Sequence, residues 1–128
     1  MSHRRSSSDT RWQQTKATVE ERDRSDRILK VLTVSEMYEL RRNAKQLLQV
    51  LDPAHVIPVS KAGWMCYDED NVILLNRFSH ENLDLNRCPI TGRNITQNRV
   101  HRWWARIVGI NKYKELLTRA HRRLKNEQ

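Results

Sequence analysis

Ala54-His55-Val56-Ile57-Pro58, then Asn71-Val72-Ile73-Leu74-Leu75, then His80-Glu81-Asn82-Leu83-Asp84 are the three blocks whose reading decides the fold. A histidine, an asparagine and a second histidine stand in that order within 26 residues, each beside a short apolar run. His55-Val56-Ile57 and Val72 to Leu75 are β-prone and bounded by turn formers, so they predict two short strands that pair across a long loop. That loop, from Gly63 to Asn71, contains Asp68, Glu69 and Asp70. Ser79 to Leu85 follows as a short helix. The expected product is a small ββα unit.

Such a unit suits phosphodiester hydrolysis. A base must activate water, a cation must neutralise charge on the phosphate and the leaving oxygen, and something must hold both in place. His55, at a strand end, is the candidate base, because an imidazole titrates near neutrality. His80, on the facing helix, is a candidate metal ligand. Asn71 either pins the base-bearing strand by hydrogen bonds or ligates the metal.

The three blocks resemble a known family. Ala54-His55-Val56-Ile57-Pro58 is similar to the "A-H-I-I-P" opening of HNH endonucleases of the His-Me finger (ββα-metal) superfamily, in a branch common in fungi and bacteria. Asn71 to Leu75 resembles its "N-G-L-L-L" block. His80 to Asp84 resembles its "H-x-x-F-D" ending, with Leu83 in place of the aromatic. The resemblance covers residues 54–84, a quarter of the chain. It implies His55 as general base, Asn71 as positioner or ligand, His80 as metal ligand and Asp84 as a supporting carboxylate. Many relatives carry a ligand immediately before the base, where this chain has Ala54; Asp52 is the nearby substitute. Relatives often place a "C-x-x-T-G" turn before the first histidine, whereas here Cys88-Pro89-Ile90-Thr91-Gly92 follows the last. These departures bear on activity more than on fold. The implied cofactor is a divalent metal, Mg²⁺ first, with Mn²⁺, Ni²⁺ or Zn²⁺ compatible with the ligand set.

Outward from this core, residues 28–53 form an N-terminal helical segment. Thr33-Val34-Ser35-Glu36 has capping-box spacing. Met37, Leu40, Ala44, Leu47, Leu48 and Leu51 recur at helical intervals, predicting a helix from about 34 to 51 that Asp52-Pro53 stops. Residues 1–27 are rich in Ser, Arg, Asp and Glu and read as a disordered or fraying tail, with Trp12 their one large apolar residue. Residues 54–86 are the core. Residues 87–128 supply a turn and a basic helical pair. In that pair Thr96 caps a helix carrying Val100, Trp103, Trp104, Ile107 and Val108, and Gly109 breaks it. Asn111 opens the next helix, with Tyr113, Leu116, Leu117, Ala120 and Leu124 on one face. The stretch Ala105 to Asn111 resembles the turn of a helix-turn-helix. The fold class is α+β.

Charge sorts by position. From Arg87 to Lys125 there are eleven Lys/Arg and one acid; from Asp52 to Asn86 there are two bases and six acids. A basic face attracts polyanions, and an acidic pocket suits a hard cation. Arg99, Arg102, Arg106, Lys112, Lys114, Arg119, Arg122 and Arg123 are the candidate nucleic-acid contacts. The net charge is +9 and the mean hydropathy −0.83. No apolar run is long enough for a membrane span, and the N-terminus lacks the apolar region of a secretory leader. Cys66 and Cys88 are too few for a disulfide framework, so an intracellular setting is expected, nuclear or cytoplasmic. Cys66, His80, Cys88 and His101 lack zinc-site spacing. The expected function is metal-dependent cleavage of DNA by an HNH-type endonuclease or a catalytically degenerate relative. The alternative is a non-catalytic nucleic-acid-binding protein using the basic C-terminal helices. A scaffold whose basic face meets an acidic protein is a third.

Overall fold

The computed structural model describes the backbone of residues 7–127 and the side chains of 10–122. Its order is α1 (Ser7–Asp23), α2 (Val34–Ala44), β1 (Leu51–His55), β2 (Val72–Asn76), α3 (Arg77–Asp84), α4 (Gln97–Val108) and α5 (Ile110–Glu127), with short 3-10 turns between. The class is α+β, mostly helical, around a two-stranded antiparallel sheet.

The hairpin is placed by its burial. Every residue of β2 is buried. Ile73 and Leu75 face the main core with Ile28, Leu40, Met65, Leu83, Trp104 and Leu116. Val72 and Leu74 face the other way, onto Val19 and Trp12 of α1. A two-stranded sheet is marginal in water by itself, and here both its faces are covered.

Residues 7–23 correct the expectation of a fraying tail over 1–27; of that tail only residues 1–6 lie outside the described residues. α1 meets the hairpin through a narrow line: Trp12, Thr15 and Val19, with Arg22 and Asp23 at its end. The Thr15 hydroxyl donates to the Tyr67 carbonyl at 3.0 Å. Asp23 accepts from Leu74 N at 3.0 Å, and Arg22 donates to the Val72 carbonyl at 2.6 Å. The free edge of β2 is thereby closed to other chains. Arg24 ends the helix with φ +59°.

The helix expected over 34–51 is shorter. Its capping box forms as predicted: Glu36 N donates to the Thr33 hydroxyl, and Thr33 N to the Glu36 carboxylate. It ends at Ala44, where Lys45 takes φ +51°, and a 3-10 turn follows. Asp52-Pro53 is not a stop but part of β1. The register explains how a proline fits. Pro53 lies opposite Leu74, whose N–H points away to Asp23, so this is a non-hydrogen-bonded pair and the missing N–H breaks no ladder bond.

Asn76 caps α3, accepting from Ser79 N at 2.8 Å. The same side chain donates to Asp26 at 2.7 Å, and Ser79 donates to the Pro89 carbonyl at 2.9 Å. This buried network fixes α3 against the Cys88–Arg93 turn, which closes through Cys88 N to the Arg93 carbonyl at 2.8 Å. Thr96 caps α4 as expected. Gly109 alone separates α4 from α5, with φ +96°, a backbone state costly for any side chain. α5 starts at Ile110, so Asn111 lies inside it rather than capping it.

Candidate active site

β1, β2 and α3 place the three chemistry-bearing residues. Asn71 is fully buried just before β2. Its carboxamide oxygen accepts from Ile57 N at 2.7 Å, and its amide donates to the carbonyls of Ile57 (3.0 Å) and Met65 (3.3 Å). Three bonds commit this side chain to pinning the loop that leaves β1. Of the two roles open to it, the geometry fits the positioner.

His55 ends β1. Its Nε2 lies 2.9 Å from the Cys66 carbonyl. A carbonyl can only accept, so Nε2 carries the hydrogen and Nδ1 of the neutral ring holds the lone pair. The other constraint is Trp12 of α1, stacked on the imidazole with centroids 5.3 Å apart and planes 18° from parallel. Both the Trp12 stack and the Cys66 carbonyl escaped the sequence reading. Trp12 stood out only as a lone aromatic in a polar segment, and a backbone oxygen has no sequence signature.

His80 lies between two carboxylates. Nδ1 is 3.2 Å from Asp52 and Nε2 is 3.2 Å from Asp84. The Asp84 hydrogen bond, aided by Asp52 and opposed by burial, raises the His80 pKa above its ordinary 6.5. Burial by itself would raise Asp52, but hydrogen bonds from Arg77 (3.0 and 3.2 Å) and His80 outweigh it and hold that carboxyl below its usual range. Asp52 stands two residues before Ala54 and so on the same face of β1, which is how it reaches α3. His55, opposite Val72, is on the other face. His55, His80 and Asp84 nevertheless line one cleft of about 510 Å³, because His55 is the last residue of its strand. Val56 to Lys61, Gln97, His101 and Tyr113 complete much of its wall.

The expected metal ligands lie together as pairs, His80 with Asp52 and His80 with Asp84. Among the described residues no group of three or more His, Cys, Asp or Glu is arranged to hold a metal ion. That also removes a zinc site built on Cys66, Cys88, His80 and His101. Of the three expected ligands, Asp52 is taken by Arg77 and by His80 Nδ1. At the cleft His80 Nε2 and Asp84 contact each other at 3.2 Å, so this nitrogen and oxygen would hold a cation only by giving up that contact. Two protein donors fit a cation that keeps most of its waters, as Mg²⁺ does.

The acidic middle and the basic C-terminal third meet through two cations and two carboxylates. Arg119 pairs with Asp68 (2.6 Å), Asp70 (3.3 Å) and Glu115 (2.7 Å), and Lys112 with Asp70 (2.9 Å). Arg106 bonds Glu36 at 2.8 Å and lies over the Trp103 ring, 4.9 Å from its centroid. These three expected nucleic-acid contacts are therefore engaged within the fold. Arg99, Arg102, Lys114 and Arg122 are exposed and have no ion pair among the described residues. The side chain of Arg123 lies outside the described residues. Trp104 is buried and belongs to the core.

No protein-family model matches the chain, no curated protein matches it, and no solved structure matches it. Among the described residues no helix is long and apolar enough to cross a membrane.

Proposed function

We propose that this chain is a metal-dependent HNH-type endonuclease acting on DNA phosphodiesters. The observation that carries the reading is the setting of His55: a strand-end imidazole with Nε2 tied to a backbone carbonyl and Nδ1 left with its lone pair, on a loop that Asn71 pins. That is what a general base requires. His55 Nδ1 takes the proton of the attacking water. Asn71 and Trp12 hold the ring for that transfer. His80 Nε2 and Asp84 would hold the cation, with Asp52 orienting His80. When bound, the cation supplies charge neutralisation at the phosphate and the leaving oxygen. Arg99, Arg102, Lys114 and Arg122 supply contacts to the phosphate backbone without sequence choice. An intracellular setting, nuclear or cytoplasmic, goes with this function.

The test is nicking of supercoiled plasmid with Mg²⁺ or Mn²⁺, beside EDTA and His55→Ala. The expected result is metal-dependent nicking that His55→Ala lowers by about 10²- to 10⁴-fold. Nicking unchanged in His55→Ala overturns the assignment.

One observation favours a second reading, a nucleic-acid-binding protein on a catalytically degenerate core: both nitrogens of His80 are occupied by carboxylates and no three-donor metal group exists among the described residues. Salt-sensitive DNA binding without nicking under any of the four candidate metals would select it.

A further inference from the structure

The cleft has a third imidazole that neither the base nor the cation site uses. His101 of α4 lines it beside Tyr113 of α5. The Tyr113 hydroxyl is hydrogen-bonded to His101 Nδ1, and the two rings sit 5.9 Å apart at 43°. Tyr113 is only 5% exposed. Burial pushes its phenol up to about 12, so it keeps its proton and has one to donate. Donation to Nδ1 leaves the hydrogen of the neutral ring on Nε2. If the ring is protonated, Nε2 carries a hydrogen as well. With Tyr113 donating to Nδ1, Nε2 is a donor in both states; with Nδ1 donating to the Tyr113 oxygen, only the protonated ring offers Nε2–H. His80 spends its two nitrogens on Asp52 and Asp84, but His101 has no carboxylate partner among the described residues. Its Nε2 has no hydrogen-bond partner among the described residues, and Val100, Trp104 and Leu117 line the same cleft.

We propose that His101 is a phosphate-binding group on the α4–α5 wall of the cleft, oriented by Tyr113, and that it donates from Nε2 to a non-bridging oxygen of a nucleic-acid phosphodiester. This rests on the cleft being the phosphodiester site, but not on any cleavage there. Tyr113 is a positioning residue; only His101 touches the ligand.

The experiment is binding of a short labelled DNA duplex in EDTA, followed by fluorescence anisotropy, with imidazole nitrogen shifts of His101 recorded by NMR. His101→Ala weakens binding about tenfold, the loss of one hydrogen bond to a charged group. His101→Gln keeps an N–H donor at similar reach and recovers most of that loss. Tyr113→Phe keeps the ring but frees the tautomer, and weakens binding about threefold. The His101 Nε2 signal moves on adding duplex. Wild-type affinity in His101→Ala, or a loss in His101→Gln equal to that in His101→Ala, reduces the pair to a structural contact and overturns the proposal. The nuclease reading fails separately: if His55→Ala still nicks while the His101 series behaves as stated, the phosphate site stands without it. No binding of the duplex by the wild-type protein removes both.

Discussion

At the scale of single residues the pinning of the loop by Asn71 has the clearest energetic consequence. Asn71→Ala leaves the N–H and C=O of Ile57 without their buried partner. Each such group costs about 1–3 kcal/mol, so a loss on the order of 3–5 kcal/mol is expected in urea unfolding. A loss below about 1 kcal/mol would mean water takes over those bonds and the loop is not held by this side chain. Trp12 has a different signature. Trp12→Leu keeps apolar cover over Val72 and Leu74 but loses the flat ring under His55. Thermal stability should fall modestly while nicking falls about tenfold or more, because small misplacements of a reacting group are expensive. Equal losses in both would make Trp12 a packing residue only. His55 and Asn71 were legible in the sequence because they stand at element ends beside apolar runs, whereas His80 lies within α3. The role of Asp52 was not legible as it stands. As a nearby carboxylate it reads as a ligand, and its pairing with Arg77 and His80 Nδ1 appears only in the fold.

At the scale of elements α1 was the largest surprise. Its buried face offers one contact per turn, and one of those is threonine. Composition therefore describes it as a polar tail, and only tertiary contacts to the hairpin give it a reason to be helical. Pro53 misled in the same way: local rules make Asp52-Pro53 a helix stop, but a non-hydrogen-bonded strand position tolerates proline without loss. The caps of α2 and α4 were legible because capping chemistry is local, Thr33 with Glu36 and Thr96 before Val100, whereas α3 starts at Arg77 behind Asn76, ahead of the Ser79 start expected. The contribution of α1 can be isolated at Asp23. Asp23→Ala removes the acceptor of Leu74 N and the partner of Arg22 and Arg27. It should cost about 1–3 kcal/mol for the stranded N–H and open the edge of β2 to self-association. Chemical denaturation and sedimentation velocity check the two halves. A variant that loses stability yet stays monomeric would show that the rest of α1 covers the edge without Asp23.

At the scale of the whole molecule the separation of charge along the chain becomes pairing in space. Arg119 and Lys112 of α5 hold the acidic loop that carries Cys66, and Arg106 of α4 holds the cap of α2. Sequence gives the charges but not their partners, so a run of basic residues reads as a nucleic-acid face when much of it is internal clasp. Arg87, Arg93, Arg99, Arg102, Lys114 and Arg122, exposed and without an ion pair among the described residues, are the surface that the proposed DNA binding would use. The same pairing gives stability a dependence on pH with a definite sign. Hydrogen bonds from Arg106 hold Glu36 down to about 2 from its ordinary 4.5. A carboxyl lowered by folding stabilises fully above its unfolded value, and that contribution is lost as pH falls from 4.5 toward 2. His80 runs the other way. Its pKa is raised in the metal-free fold, so its contribution is full below 6.5 and disappears as pH rises through the folded value. Asp26, raised by burial, also favours the low-pH side, so total stability mixes several groups and differences between variants are the usable measure. In EDTA the stability gap between wild type and His80→Gln should be widest below 6.5 and close above it. The gap between wild type and Arg106→Ala should stay constant near neutrality and shrink only below 4.5. A His80 gap that persists unchanged into alkaline pH would mean that the ring is not held as an imidazolium between Asp52 and Asp84. Its two nitrogens would then serve the cleft in the neutral form even without a cation.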